Sequence, residues 1–344
     1  MKRFLIALAA IAAASPAGVA GLKTFKAWSA VCDNLRTCVA FGFPPADQPD
    51  GGYLRIARSG AAGAVPRVTL GVISDDAPKA AAWTPLIDGR PIAGVPALAV
   101  KADDSYRQAT LTPTQGAALI EALRNGGVLT LRAGGATVAT ISLGGSAAAL
   151  LWIDDQQQRI GTVTALARRG DKPAGAVPAV PALPMLRPGP PASQAGLPTR
   201  VPAAVRRARK DCTANPAADN DAPLIARLAP GVVLWGPVCD QGAYSIGNTF
   251  FIGDERGGAL RPVLFPEPPG LADKPSGELS DPEYDEKTRI LTSFAKGRGL
   301  GDCGEMMSWV WDGKAFQLLG ATVMTQCHGV AMDDWPTLWV AKSR

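Results

Sequence analysis

Six cysteines constrain this chain more than any other feature: Cys32, Cys38, Cys212, Cys239, Cys303 and Cys327. Joined in pairs, they dictate which distant segments must meet. Whether they are joined depends on the compartment, and the N-terminus speaks to that. Lys2-Arg3 is followed by an apolar stretch from Phe4 to Ala14 and by small residues through Gly18-Val19-Ala20, the order of a secretory leader. The apolar stretch falls short of the roughly 20 residues that a membrane-spanning helix needs, and no later segment is long and apolar enough. No cysteine stands at the expected cleavage point, which argues against a lipid anchor. The expectation is a periplasmic or secreted protein with no transmembrane segment, in a compartment that oxidises thiols, and so three structural disulfides.

Local sequence suggests the pairing. Cys32 and Cys38 enclose only Asp33-Asn34-Leu35-Arg36-Thr37, which fits a tight hairpin clip. Asp312-Gly313, flanked by Trp309, Trp311, Phe316 and Leu318, reads as a two-residue hairpin turn. Folding back there brings Cys303 toward Cys327 and leaves Cys212 for Cys239; other connectivities of these four remain open. Each bridge would stabilise by about 2–4 kcal/mol. Oxidised cysteines are neither nucleophiles nor thiolate metal ligands.

Between the cysteine groups, residues 173–202 hold nine prolines among Ala, Gly and Ser. Such a composition builds no core and reads as a semi-rigid spacer, at about 3.1 Å per residue when extended. The expected organisation is a leader over 1–20, an α+β domain with one disulfide over 21–171, a proline-rich linker over 172–202, and a mainly antiparallel β domain with two disulfides over 203–344. In the first domain Tyr53-Leu54-Arg55-Ile56 and Val68–Val72 read as strands. Thr112 and Pro113 open a helix that Gly126 ends. Strands over 128–132 and 137–143 precede a second helix from Ser146 to about Ile160, stopped by Gly161. Beyond the linker, short strands are expected over 232–235, 245–252, 261–265, 290–294, 307–311, 316–323 and 338–340, an antiparallel meander closing into a barrel or sandwich.

These residues carry a resemblance. Trp28-x-x-x-Cys32-Asp33-Asn34-x-x-x-Cys38, Trp152-Ile153-Asp154-Asp155-Gln156, Arg168-Arg169-Gly170, Cys303-Gly304 and Trp309-x-Trp311-Asp312-Gly313 together resemble the domain-of-unknown-function 1176 family over essentially the whole mature chain. The resemblance implies an exported six-cysteine protein with no established activity. The first domain alone, with Ile141-Ser142-Leu143-Gly144-Gly145 leading into an Ala/Leu-rich helix, is similar to the invasion-associated locus B proteins of bacterial envelopes, which implies an envelope role.

The remaining signals weigh against chemistry. Without Lys2 and Arg3, 33 basic residues face 30 acidic ones, a net charge of +3, too small to argue for nucleic acid. The basic run Arg206-Arg207-Ala208-Arg209-Lys210 reads as a solvated helical turn. His328 is the only histidine, which excludes sites needing two imidazoles. It could join Ser308, Asp302 or Asp333 in a triad, but there is no Gly-x-Ser-x-Gly turn, and a histidine flanking a disulfide is the simpler reading. Asp281, Glu283, Asp285 and Glu286 hint at a calcium loop, yet Glu286 and Thr292 stand where glycine and glutamate are required. Asp154 and Asp155, adjacent on a helix, diverge by about 100° and make a poor acid–base pair. Gly134-Gly135 and Gly144-Gly145 lack the continuation of a phosphate loop.

Trp309, Trp311 and Trp335, with His328, are therefore the weak candidates for a binding surface, and filling a β core is the simpler use of the tryptophans. The expected function is a non-enzymatic binding or structural module of the envelope, needing no cofactor, with an envelope protein or glycan as partner. The alternatives are an inhibitor of a secreted hydrolase such as lysozyme, and a hydrolase with an unfamiliar site near His328.

Overall fold

The computed structural model describes residues 21–46, 52–73, 80–103, 106–209, 212, 223–272 and 274–344. The leader expected over 1–20, and Lys210 of the basic run, lie outside the described residues. Strands dominate both halves, and no helix among the described residues is long and apolar enough to cross a membrane.

The first half is built on an antiparallel sheet of seven strands, in the order Gly21–Phe25, Trp28–Cys32, Cys38–Gly42, Tyr53–Arg58, Arg67–Ile73, Tyr106–Thr110, Lys101–Asp103. A smaller sheet, centred on Val128–Ala133 between Ala136–Ser142 and Ala82–Ile87, and two helices close over one face of it. The core between them includes Trp28, Leu54, Ile56, Trp83, Leu119, Leu129 and Ile153. The helix Pro113–Ala122 starts where expected, because Thr112 and Gln115 form a reciprocal capping box. The second helix, Ser146–Gln156, follows Gly145 at φ +108°; a Cβ there would sit 1.9 Å from the Phe25 carbonyl oxygen, so only glycine fits. It ends before the expected Ile160. Gln157 is fully buried and donates to the carbonyls of Arg36 and Arg58, and Gln158 takes a left-handed turn.

The second half carries a five-stranded antiparallel meander, Glu283–Asp285, Ile290–Lys296, Gly304–Trp311, Phe316–Met324 and Thr337–Val340. Leu224–Ala229, Val232–Gly236, Phe251–Gly253 and Arg261–Pro262 form another sheet, and Val238–Gln241, Ile246–Thr249 and Glu278–Ser280 a third. Leu291, Trp309, Trp311 and Phe316 of the meander share a core with Leu228, Leu234, Phe250, Ile252 and Phe265. The strand expected over 245–252 is two strands, parted at Phe250, whose ring turns inward against Phe265 at 5.2 Å. The strand expected over 261–265 shrinks to two residues and one bridge, Phe265 to Ser276, since Pro262 and Pro266 bring no N–H to a ladder. The hairpin turns one residue later than expected, on Gly313-Lys314. Asp312 closes that turn with its N–H on the Ala315 carbonyl and its carboxylate on the N–H groups of Lys314 and Ala315.

All three expected disulfides are present: Cys32–Cys38, Cys212–Cys239 and Cys303–Cys327. The proline-rich segment, in contrast, is not a free spacer. Met185–Leu186 pairs in parallel with Lys342–Ser343, the Gly189 N–H reaches the Trp311 carbonyl at 2.7 Å, and the Gln194 amide binds both backbone groups of Arg227 like a neighbouring strand. The halves also touch directly. Val39, Phe41, Phe43 and Tyr53 pack with Cys303, Met324, Val330 and Trp335, and Val31 packs with Ala321, Val323 and Leu338. Asn34, inside the first disulfide loop, exchanges two hydrogen bonds of 2.9 and 2.8 Å with the backbone of Val340.

Candidate functional site

The meander positions a broad concavity. Its register sets Thr292, Ser308 and Gly320 side by side, and next to them Phe294, Met306, Thr322 and Thr337. Alternation along strands sends this set to the face opposite Leu291 and Trp309, which enter the core. The result is a groove of about 910 Å³ running across the five strands. Its walls combine hydroxyls with the apolar side chains of Phe294, Met306 and Met332. One end carries charge: Lys296 Nζ lies 2.7 Å from Asp281 Oδ2, and Glu283 stands beside them.

Met332, which is 48% exposed, separates this groove from a second cleft of about 510 Å³. Lys101, Tyr106 and Gln108 from the first half line the cleft together with Asp333 and Asp334 from the second. At its base Asp334 accepts hydrogen bonds from the Tyr53 hydroxyl at 2.8 Å and from the Gln108 amide, which also donates to the Tyr53 oxygen. Arg55 Nε donates to the Asp334 carbonyl. Burial, and then the Asp334 charge, push the Tyr53 hydroxyl far above the ordinary phenol range, so this tyrosine stays a proton donor to Asp334 and not a base. Burial raises Tyr106 as well, reinforced by Asp302 and Asp333. Sequence reading did not single out this cluster. The available signal was the strand Tyr53–Arg58, where Leu54 and Ile56 alternate with Tyr53 and Arg55, because a polar but aromatic second face needs a partner.

The singled-out residues lie elsewhere. Trp309 and Trp311 are core side chains, Trp309 donating to the Pro266 carbonyl at 2.7 Å and Trp311 packing on Phe316. Trp335 is buried between the halves, bonded to the Val330 carbonyl and edge-on to Phe294. None presents an open aromatic platform. His328 stacks on Phe43 with ring centroids 4.8 Å apart. Its proposed triad partners are engaged elsewhere or exposed. Ser308 sits in the groove, Asp302 holds Arg298 at 2.7 and 2.6 Å and the Gly329 N–H at 2.8 Å, and Asp333 is exposed at the rim of the cleft. The Arg298 bond, opposed by partial burial, keeps the Asp302 carboxyl below its ordinary range.

Asp154 is fully buried and pairs with Arg58 at 2.8 Å while accepting from the Leu166 and Ala167 N–H groups; Asp155 is exposed. Burial pulls Arg58 down to about 10. This is an internal clamp and not an acid–base pair. The acidic cluster is likewise dispersed: Asp281 holds Lys296 and the Ile246 N–H, and Asp285 caps the turn at Lys287 and Thr288. Among the described residues no three His, Cys, Asp or Glu side chains converge as for a metal ion. In the basic run, Arg206 bonds the Val201 carbonyl and Arg209 the Val238 carbonyl.

Comparison with known proteins finds uncharacterised relatives. A relative from Escherichia coli (strain K12), "Uncharacterized protein YpfG", is 30% identical over 348 residues, covering 93% of each chain. No solved structure matches. Similarity of the first half to the invasion-associated locus B proteins is not shown. The family model described as "Protein of unknown function (DUF1176)" matches residues 22–342, and this chain belongs to that family.

Proposed function

We propose that the protein is exported to the periplasm or secreted and acts there as a non-enzymatic binding module, holding an extended partner, a glycan strand or a segment of an envelope protein, in the groove across the meander. One observation carries this reading. The groove across the meander offers hydroxyl and apolar surface along its length and confines its charges to one end. Binding sites combine apolar lining with a few oriented polar groups in this way. The three disulfides and the leader-like N-terminus support export.

Isothermal titration of the chain from residue 21 with defined cell-wall oligosaccharides, and separately with peptides from envelope proteins, tests the reading. Thr337 is exposed at the groove, so Thr337→Trp fills the groove without disturbing the core. The expected outcome is binding by one ligand set that Thr337→Trp weakens at least about tenfold, a change of roughly 1.4 kcal/mol, at unchanged melting temperature. Binding that ignores Thr337→Trp places the site elsewhere. Turnover of any ligand would replace the module with an enzyme.

A further inference from the structure

One row of the seven-stranded sheet reaches the cleft between the halves. Tyr53 is paired with Gly71, Gly71 with Gln108 and Gln108 with Lys101, so these positions stand side by side on one face. Glycine is required within the row, because a Cβ on Gly71 would overlap the Tyr53 ring. Without one, the ring lies across the neighbouring strand and brings its hydroxyl to Gln108 and to Asp334 of the second half. The row thereby holds Asp334 Oδ2 in place, through the Tyr53 hydroxyl and the Gln108 amide.

Hydrogen-bonding capacity is left over, and it is of two kinds. Asp334 Oδ1 lies 3.7 Å from Arg55 Nε, too far for a hydrogen bond. Oδ1, the Gln108 side-chain carbonyl and the exposed Asp333 carboxylate have no donor among the described residues, and all three residues line the cleft of about 510 Å³. Lys101 and Tyr106 line it too. The exposed Lys101 ammonium has no carboxylate partner among the described residues, although Asp333 and Asp334 border the same cleft, and the Tyr106 hydroxyl has no acceptor there. Burial, reinforced by Asp302 and Asp333, keeps that hydroxyl protonated, a donor beside the Lys101 cation.

We propose that this cleft binds a free amino acid, holding its ammonium on Asp333, Asp334 and Gln108 and its carboxylate on Lys101 and Tyr106. A primary ammonium carries three N–H donors and no acceptor, which matches the acceptor set, and a carboxylate takes charge-assisted bonds from an ammonium and a hydroxyl. The cleft is of the size that small ligands occupy. Other small ions fit it less well. A diamine would set its second cation against Lys101, and a dicarboxylate would set its second anion against Asp333 and Asp334. Among the described residues no three His, Cys, Asp or Glu side chains converge as for a metal ion. Because the acidic wall belongs to the second half and Lys101, Tyr106 and Gln108 to the first, the ligand would also tie the halves together.

The test is isothermal titration of the protein, purified from the cells that make it and dialysed, with each of the common L-amino acids, and with putrescine and succinate as ligands that carry only one of the two charges. At least one amino acid is expected to bind, with putrescine and succinate at least about tenfold weaker. Asp333→Asn and Lys101→Gln should each weaken that amino acid at least about tenfold, the scale of one lost charge-assisted bond. Both positions are exposed, so the melting temperature should not change. Asp155→Asn, an exposed carboxylate that does not line the cleft, should bind as the unmodified protein does. The proposal is overturned if no amino acid binds, if putrescine or succinate binds as tightly, if affinity ignores both Asp333→Asn and Lys101→Gln, or if Asp155→Asn weakens binding equally.

Discussion

Asp154 ties Arg58 to the Leu166–Ala167 backbone inside the first half. It neutralises Arg58, which is buried with it, and fixes the backbone of Leu166 and Ala167; Gln157 and Arg159 complete the cluster through the carbonyls of the 60–62 turn and Arg36. Replacing the carboxylate leaves a guanidinium buried without its counter-charge. Asp154→Asn is expected to cost about 3–5 kcal/mol in urea denaturation, and the exposed neighbour Asp155→Asn within about 0.5 kcal/mol. Equal effects at the two positions would mean that Arg58 finds another partner. Asp33 and Asn34 divide their work in a similar way. Asp33 folds the disulfide loop onto the N–H groups of Leu35 and Thr37, and Asn34 stitches that loop to Val340. The motif was visible in the sequence; the partner of Asn34 was not, since Val340 lies 306 residues away.

At the scale of elements, local signals decided starts better than ends. The capping box of Pro113–Ala122 needs only Thr112 and Gln115, and Thr112→Ala should lower stability by about 1 kcal/mol in thermal unfolding, with Thr112→Ser restoring most of it. No effect would show that Leu119 and Ile120, buried in the core, hold the helix by packing alone. The end of Ser146–Gln156 escaped sequence reading because a buried Gln157, not a glycine, stops it. The strands Trp28–Cys32 and Cys38–Gly42 teach a related lesson. Every residue in both is buried, with Ala30, Cys38 and Ala40 facing the first core and Val31, Val39 and Phe41 facing the second half. Runs with no polar alternation are what strands covered on both faces look like.

For the whole molecule, that double burial joins the halves. Residues 21–171 produced alone would expose Val39, Phe41, Phe43 and Tyr53, now packed against Cys303, Met324 and Trp335. The expected outcome is strong binding of the dye ANS and self-association in analytical ultracentrifugation, neither of which the chain from residue 21 onward should show. A monodisperse first half without dye binding would instead establish it as an independent domain. Residue type and short spacing were enough to set the Cys32–Cys38 clip, the capped helix and the preponderance of antiparallel strands beyond residue 203, while the pairing of the other four cysteines stayed open. The folded chain was needed to show that the proline-rich segment is bound along the body and that the groove and the cleft exist. These depend on which faces of distant strands meet, and pairing energy between segments hundreds of residues apart leaves little trace in local composition.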